Sequence, residues 1–256
     1  MKIVILAAGR GERLMPLTQN TPKPLVDMGN GNTLLEEQLA SIQQSGVIDE
    51  VVLVVGYLSD QIEAKMRAYR DRGFKISTLF NPFWQVSNNL MSLWLARHVI
   101  AEGDAMITNG DNIFTPDVFA GLAAQGEGVW LSACHKTEFD SDDMKVTLKN
   151  GLVARVSKQI PAEEASAESP GLVMVCGERA RTLFVEQLEG TVRDADNINR
   201  FWLETFNRMW LKGVPVKPWM FESAGKWQEV DFHLDVERVR RLLTEKIMHL
   251  HSGSPS

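Results

Sequence analysis

Apolar residues fall along this chain in two rhythms. Continuous runs at 2–7 (KIVILA), 51–55 (VVLVV) and 105–108 (AMIT) read as strands buried on both faces. Between them, helical spacing predicts helices over 34–44, 60–70 and 88–99. Strands alternating with helices build βαβ units around a parallel sheet, and such sheets bind ligands beyond the carboxyl ends of their strands.

After about residue 129 the texture changes. The stretches WLSACHK, MKVTLK, LVARVSK and GLVMVCG, separated by turn-like or acidic residues, read as added β structure of mixed direction. Further helices are expected over 197–210 and 233–249, with a short apolar segment at 214–220 between them. PAEEASAES at 161–169 reads as a solvated loop, and 251–256 as a disordered tail. The expected class is α/β: a mostly parallel, doubly wound, Rossmann-like mixed sheet with a small C-terminal β-rich extension. Residues 1–250 are read as a single domain with halves 1–128 and 129–250.

The loop after the first strand changes the picture. MKIVILAAGRGERLMPLTQNTPKPL leads from a buried strand into a basic, glycine-rich, proline-stiffened segment suited to holding an anion. Gly9 and Gly11 supply the first two glycines of a dinucleotide fingerprint, but Leu14 stands where the third belongs, and GxxxxGK[ST] is absent. Flexible amides remain, with Arg13 able to fork onto phosphate oxygens and Lys23 restricted by Pro22 and Pro24.

Composition then narrows the classes. A net charge of −6 argues against general nucleic-acid binding, so any basic function is local. Two cysteines, Cys134 and Cys176, lie far apart without histidines at ligand spacing, and read as buried small hydrophobes. No charged leader precedes the first strand and no run approaches the ~18 apolar residues of a membrane span, so the expected location is cytoplasmic, away from membranes.

The contiguous string LAAGxGxRLxPLT followed by PKPL, at 6–18 and 22–25, resembles the signature of nucleotidyltransferases that make nucleoside-diphosphate sugars and CDP-alcohols. The resemblance implies that the backbone around Leu6, Ala7, Ala8 and Gly9 approaches the base and ribose, and that the Gly11 amide meets the phosphates. It also implies that Arg13 binds the leaving pyrophosphate and that Lys23 contacts the reacting phosphates. Homodimers are common in that family.

Such chemistry gathers several negative charges and calls for Mg²⁺ on hard oxygen ligands. Asp111, in NGDN after an apolar run, matches the first metal aspartate implied by the resemblance. In WQEVD, alternation turns Glu229 and Asp231 to one side of an extended segment, where they can share an ion. Capping of the helix from His233 is the competing role for Asp231. An acceptor phosphate is already ionised at neutral pH, so the transfer needs no general base.

Asn81-Pro82-Phe83-Trp84 and the run from Ser87 through Asn88 and Asn89 to Trp94 resemble the CTP:phosphocholine cytidylyltransferase branch. CTP is thus the expected nucleotide, with Asn81, Asn88 and Asn89 beside it. An asparagine pair can read a base edge, and one of the two can also cap the following helix. On the acceptor side the candidates are Lys145, in the DSDDMKV stretch that also resembles this branch, Glu229, and Trp202, which with Phe201 offers an aromatic site for a quaternary ammonium near Asp194 and Asp196 in sequence. Phosphocholine is the first expected acceptor. Phosphoethanolamine and 2-aminoethylphosphonate also fit, as do two rival readings: a sugar-1-phosphate uridylyl- or thymidylyltransferase, and a nucleotide-sensing module without transfer.

Overall fold

The computed structural model describes residues 1–252. In chain order the elements are β1 (Lys2–Ala7), α1 (Leu34–Ser45), β2 (Glu50–Val55), α2 (Ser59–Asp71), β3 (Ile76–Phe80), α3 (Asn89–Leu95), α4 (Arg97–Glu102), β4 (Ala105–Asn109), β5 (Asn112–Phe114) and α5 (Pro116–Ala123). The chain continues through β6 (Gly128–Ala133), β7 (Lys145–Lys149), β8 (Leu152–Ser157), β9 (Ala167–Glu168), β10 (Val173–Cys176), α6 (Glu178–Val192), α7 (Glu204–Leu211), β11 (Lys217–Met220), β12 (Trp227–Glu229) and α8 (His233–Ser252).

Seven strands form the central sheet in the order β11-β6-β10-β4-β1-β2-β3. All neighbours pair in parallel except β10, which runs antiparallel to both β4 and β6. The expected mostly parallel sheet is therefore present. Its strands are apolar throughout because both faces are covered. One face carries Val4, Leu6 and Ile107 against α3, α4, α6 and α7, including Phe184 and Phe206. The other carries Ile3, Ile5 and Leu53 against α1, α2 and α5, including Leu35, Ile62 and Phe119.

The β-rich extension is not C-terminal. The runs at 128–133, 173–176 and 217–220 complete the main sheet, while β8-β7-β9 stands apart as a three-stranded sheet in mid-chain and β12 pairs with β5 in a two-stranded one. The chain ends instead in α8, which reaches Ser252 into the expected tail; 253–256 lie outside the described residues. The helix expected over 88–99 breaks at Ala96 into α3 and α4. That expected over 197–210 shortens to α7, preceded by a single turn at 195–197. Among the described residues, no helix is long and apolar enough to cross a membrane.

Thr33 and Glu36 start α1 with a reciprocal capping box, and Gly46 ends it in the left-handed region. This fixes Gln38, whose Nε2 donates to the carbonyls of Asn109 (3.2 Å) and Asn112 (2.6 Å) and so anchors the turn carrying Asp111. Gly56, just after β2, has no room for a side chain: a Cβ there would lie 2.5 Å from the Trp84 Cβ and 2.6 Å from the Ala8 carbonyl oxygen. Gly56→Ala is expected to cost about 1–3 kcal/mol, the usual penalty for overpacking. Urea unfolding checks it; an unchanged midpoint would show that the Trp84 loop yields freely.

Candidate active site

The cleft lies beyond the carboxyl ends of β1 and β4, with a volume of about 320 Å³, within the range of small-molecule sites. Leu6, Ala7, Ala8, Gly9, Gly11, Arg13 and Lys23 line it from the opening strand and loop. Asn81, Asn88, Asn89 and Asp111 face it from the following segments, and Glu229 and Asp231 close it from the far end of the chain. Gly11 adopts φ 69°, and a Cβ there would lie 2.9 Å from the Lys23 Cβ. Glycine is thus needed both for the left-handed turn and for the lysine stem packed against it. Pro22 is extended and Lys23 opens a single 3-10 turn over 23–25, so the lysine stem is held under the glycine loop.

Lys23 is the hub. Its Nζ donates to Asp111 Oδ2 and Asp231 Oδ1, each at 2.9 Å. Burial alone would lower its pKa, but the Asp111 and Asp231 carboxylates outweigh that and raise it. Burial works likewise against the Asp231 carboxylate, and Lys23 and then Arg13 hold its pKa below the ordinary value. Arg13 donates to Asp231 and, at 2.9 Å, to Asp142 Oδ2. The helix-capping role of Asp231 is filled elsewhere: Asp235 accepts from the backbone amides of Asp231 (3.0 Å) and Phe232 (2.8 Å).

One oxygen of this array has no partner: Asp111 Oδ1 is buried and unbonded. An orphaned carboxylate oxygen beside a second aspartate is the donor set a hard divalent cation takes, with substrate phosphates completing the shell. Among the described residues, no three His, Cys, Asp or Glu side chains form a closed cage. Glu229 lines the same cleft, where desolvation and then the like charges of Asp111 and Asp231 push its carboxyl up to about 8.

Two acceptor-side expectations need correction. Lys145 is buried and its Nζ donates to the Lys158 carbonyl at 2.9 Å, so it braces β7 instead of facing the cleft. Trp202 is fully buried and packs on Phe206 in the core; its Nε1 donates to Asn109 Oδ1 at 3.0 Å. Phe201 and Leu203 line the cleft in its place. The asparagines are also committed within the protein. Asn88 caps α3, and the Asn89 Oδ1 accepts from the Trp202 amide at 2.9 Å. Asn81 accepts from the Phe83 amide (2.8 Å) and donates to Ser92 Oγ (3.0 Å).

Asp142, Lys158 and Glu168 are lining residues with charged side chains that the sequence reading does not include, whereas Phe201 stands where the aromatic pair Phe201-Trp202 is expected to contribute. Lys158 stands at the end of β8, its Nζ 2.6 Å from Asp142 Oδ1 and 5.3 Å from the centre of the Phe201 ring. Asp142 belongs to the DSDDMK run from which only Lys145 had been singled out. Of the cysteines, Cys134 is buried but Cys176 is only partly so, its Sγ 3.4 Å from Asp104 Oδ2.

Glu168 is buried beside Asp143, with Lys136 3.2 Å from Glu168 and 2.6 Å from Asp143. Burial and then the hydrogen bond with Asp143 push the Glu168 carboxyl up to about 7. A raised carboxyl pKa means that the folded protein keeps a proton the unfolded chain has lost. Stability should therefore fall as pH rises from about 4.5, the unfolded value, to about 7, and then level off. Glu168→Gln should flatten that slope in thermal unfolding across pH 4 to 8. An identical slope in the variant would remove Glu168 as its source.

Residues 2–127 match the nucleotidyl transferase family model. The chain is similar to the choline-phosphate cytidylyltransferase of Streptococcus pneumoniae, with 34% identity over 119 residues covering 46% of this chain and 48% of that protein. It is also similar to the 2-aminoethylphosphonate cytidylyltransferase of Lancefieldella rimae, with 30% identity over 167 residues covering 60% of each. These matches thus span about half to three-fifths of the curated relatives' lengths. The inositol-1-phosphate CTP transferase structure from T. maritima shares the fold, with a TM-score of 0.77 at 19% identity over 95% of this chain and 94% of that one.

Proposed function

We propose that the protein is a Mg²⁺-dependent cytidylyltransferase that moves CMP from CTP to a small phosphorylated or phosphonate alcohol, releasing pyrophosphate. Phosphocholine is the first candidate acceptor, beside phosphoethanolamine and 2-aminoethylphosphonate. The observation that carries the reading is the Lys23 ammonium shared at 2.9 Å between Asp111 and Asp231, directly under the glycine loop. Cytidine is supported by the CTP-using relatives, and a division into nucleotide half 1–128 and acceptor half 129–250 fits the cleft's two walls.

In this reading Arg13 takes the β- and γ-phosphates and Lys23 the α-phosphate. Lys158 holds the acceptor's phosphate on the opposite wall. An acceptor oxygen attacks the α-phosphorus, the bond to the bridging oxygen breaks, and pyrophosphate leaves with that electron pair. No side chain has to remove a proton; the cations lower the barrier by meeting charge where it develops. Asp111 and Asp231 would hold Mg²⁺, the unpartnered Asp111 oxygen being the first donor, and the bound ion supplies further neutralisation at the phosphates.

The test is pyrophosphate release with each of the four nucleoside triphosphates against a panel of the three named acceptors and several sugar 1-phosphates. Release with CTP and an amino-alcohol acceptor supports the proposal. Release only with UTP or dTTP and a sugar phosphate replaces it with the sugar-nucleotide reading, and nucleotide binding without release favours the sensing module.

A further inference from the structure

Asp142 sits where the two walls of the cleft meet. It lies in the segment between β6 and β7, belonging to neither the glycine loop nor β8, yet it accepts from both. Arg13 Nη1 donates to its Oδ2 at 2.9 Å, and Lys158 Nζ lies 2.6 Å from its Oδ1. Partial burial opposes its charge, and Lys158 and then Arg13 keep the carboxyl below its ordinary pKa, so Asp142 stays an anion at working pH. Its own backbone N–H donates a hydrogen bond to Asp140 Oδ1 at 2.7 Å.

From this geometry we infer that Asp142 is a positioning residue that keeps Lys158 on the acceptor wall and yields Arg13 to the nucleotide. This inference rests on the cytidylyltransferase reading. Arg13 meets Asp142 through both Nη1 and Nη2 (2.9 and 3.4 Å), the two-pronged contact it would make with phosphate oxygens, so a triphosphate can take the place of Asp142 on the guanidinium. Among the described residues, Asp142 is the one carboxylate in salt-bridge contact with Lys158. Its ammonium carries three donors, of which Asp142 uses one, leaving the others for an acceptor phosphate. The Phe201 ring, 5.3 Å away, fixes the same ammonium from a second direction.

Without the Asp142 charge, the long and flexible lysine stem is free to swing onto the nucleotide phosphates, the strongest anions in the cleft. Asp142 thus sorts two nearby cations between two polyanionic substrates. A residue that merely braced the fold would weaken both substrates alike. One that sorts cations weakens the acceptor alone.

The experiment is steady-state kinetics of Asp142→Asn, Lys158→Met and the double variant, with CTP and the acceptor varied separately. In Asp142→Asn the acceptor KM should rise about tenfold, the worth of one charge-assisted hydrogen bond, while the KM for CTP stays level or falls. Lys158→Met should raise the acceptor KM at least as much, and the double variant should be no worse than Lys158→Met alone, because Asp142 acts through that lysine. Asp142→Glu should recover part of the loss. A rise in both KM values, no rise in either, or fully multiplicative effects in the double variant would overturn the assignment. Wild-type protein that transfers CMP to no acceptor would instead defeat the cytidylyltransferase reading, and this inference with it.

Discussion

Lys23→Ala is expected to lower turnover by at least about 10²–10³-fold, the scale seen when one preorganised charge-stabilising donor is removed. Lys23 supplies the buried positive charge that Asp111 and Asp231 share, and no other described side chain bonds to both. Its removal also leaves the two aspartates facing each other without their cation. The variant should therefore be less stable than the parent and should gain more thermal stability from added Mg²⁺, since the ion then replaces the missing ammonium. Kinetics and thermal unfolding with and without Mg²⁺ check both parts. Near-normal turnover would remove Lys23 from the chemistry, and equal stabilisation of parent and variant by Mg²⁺ would separate the metal from this carboxylate pair.

Asp231→Asn should produce a second large loss, about 10²-fold or more in kcat/KM, because one carboxylate serves both Lys23 and Arg13. Removing its charge leaves Lys23 with Asp111 alone and Arg13 with Asp142 alone, and takes away one of the two aspartates suited to the metal. The loss should exceed that from Glu229→Gln, whose carboxyl makes neither contact. Stability at low pH gives an independent readout. The depressed pKa of Asp231 contributes stability that is present above about 3.9 and lost as pH falls through the lower folded value, so the variant should lack that part of the acid transition. Equal activity losses at positions 229 and 231, or an unchanged acid limb, would count against a central place for Asp231.

The glycine-loop side of the cleft was readable in the sequence because its residues are local. Gly11, Arg13 and Lys23 lie within one short stretch, and the buried strand before it fixes where that stretch must stand. Asp111 follows the same logic at the end of β4, and the alternation in WQEVD places Glu229 and Asp231 on one cleft, even though β12 pairs with β5 outside the main sheet. The side that carries Asp142 and Lys158 was not readable, because its residues meet only through long-range folding. Asp142 precedes β7 and Lys158 follows β8, so the two are brought together only by the pairing of those strands.

Aromatic content misled for a related reason. Phe201 and Trp202 are neighbours in sequence, and their order alone does not tell which ring faces the cleft; the Trp202 hydrogen bond to Asn109 turns the larger ring inward. The sheet was misjudged at its far edge as well. Strand-like runs in the second half looked like an appended unit, but β10 inserts antiparallel between β4 and β6 and joins them into one sheet. Helices α5 and α6 went unrecognised, their short or weak apolar stripes lying between stronger strand signals.

The most direct measurement follows the α-phosphorus. CTP labelled at that atom would be incubated with Mg²⁺ and each acceptor in turn, and the products separated. The expected result is label in a CMP-acceptor conjugate, none in pyrophosphate, and the two products in equal amounts. Label that stays in CTP with every acceptor, or that appears as free CMP whether or not an acceptor is present, would contradict transfer of CMP as the function of this cleft.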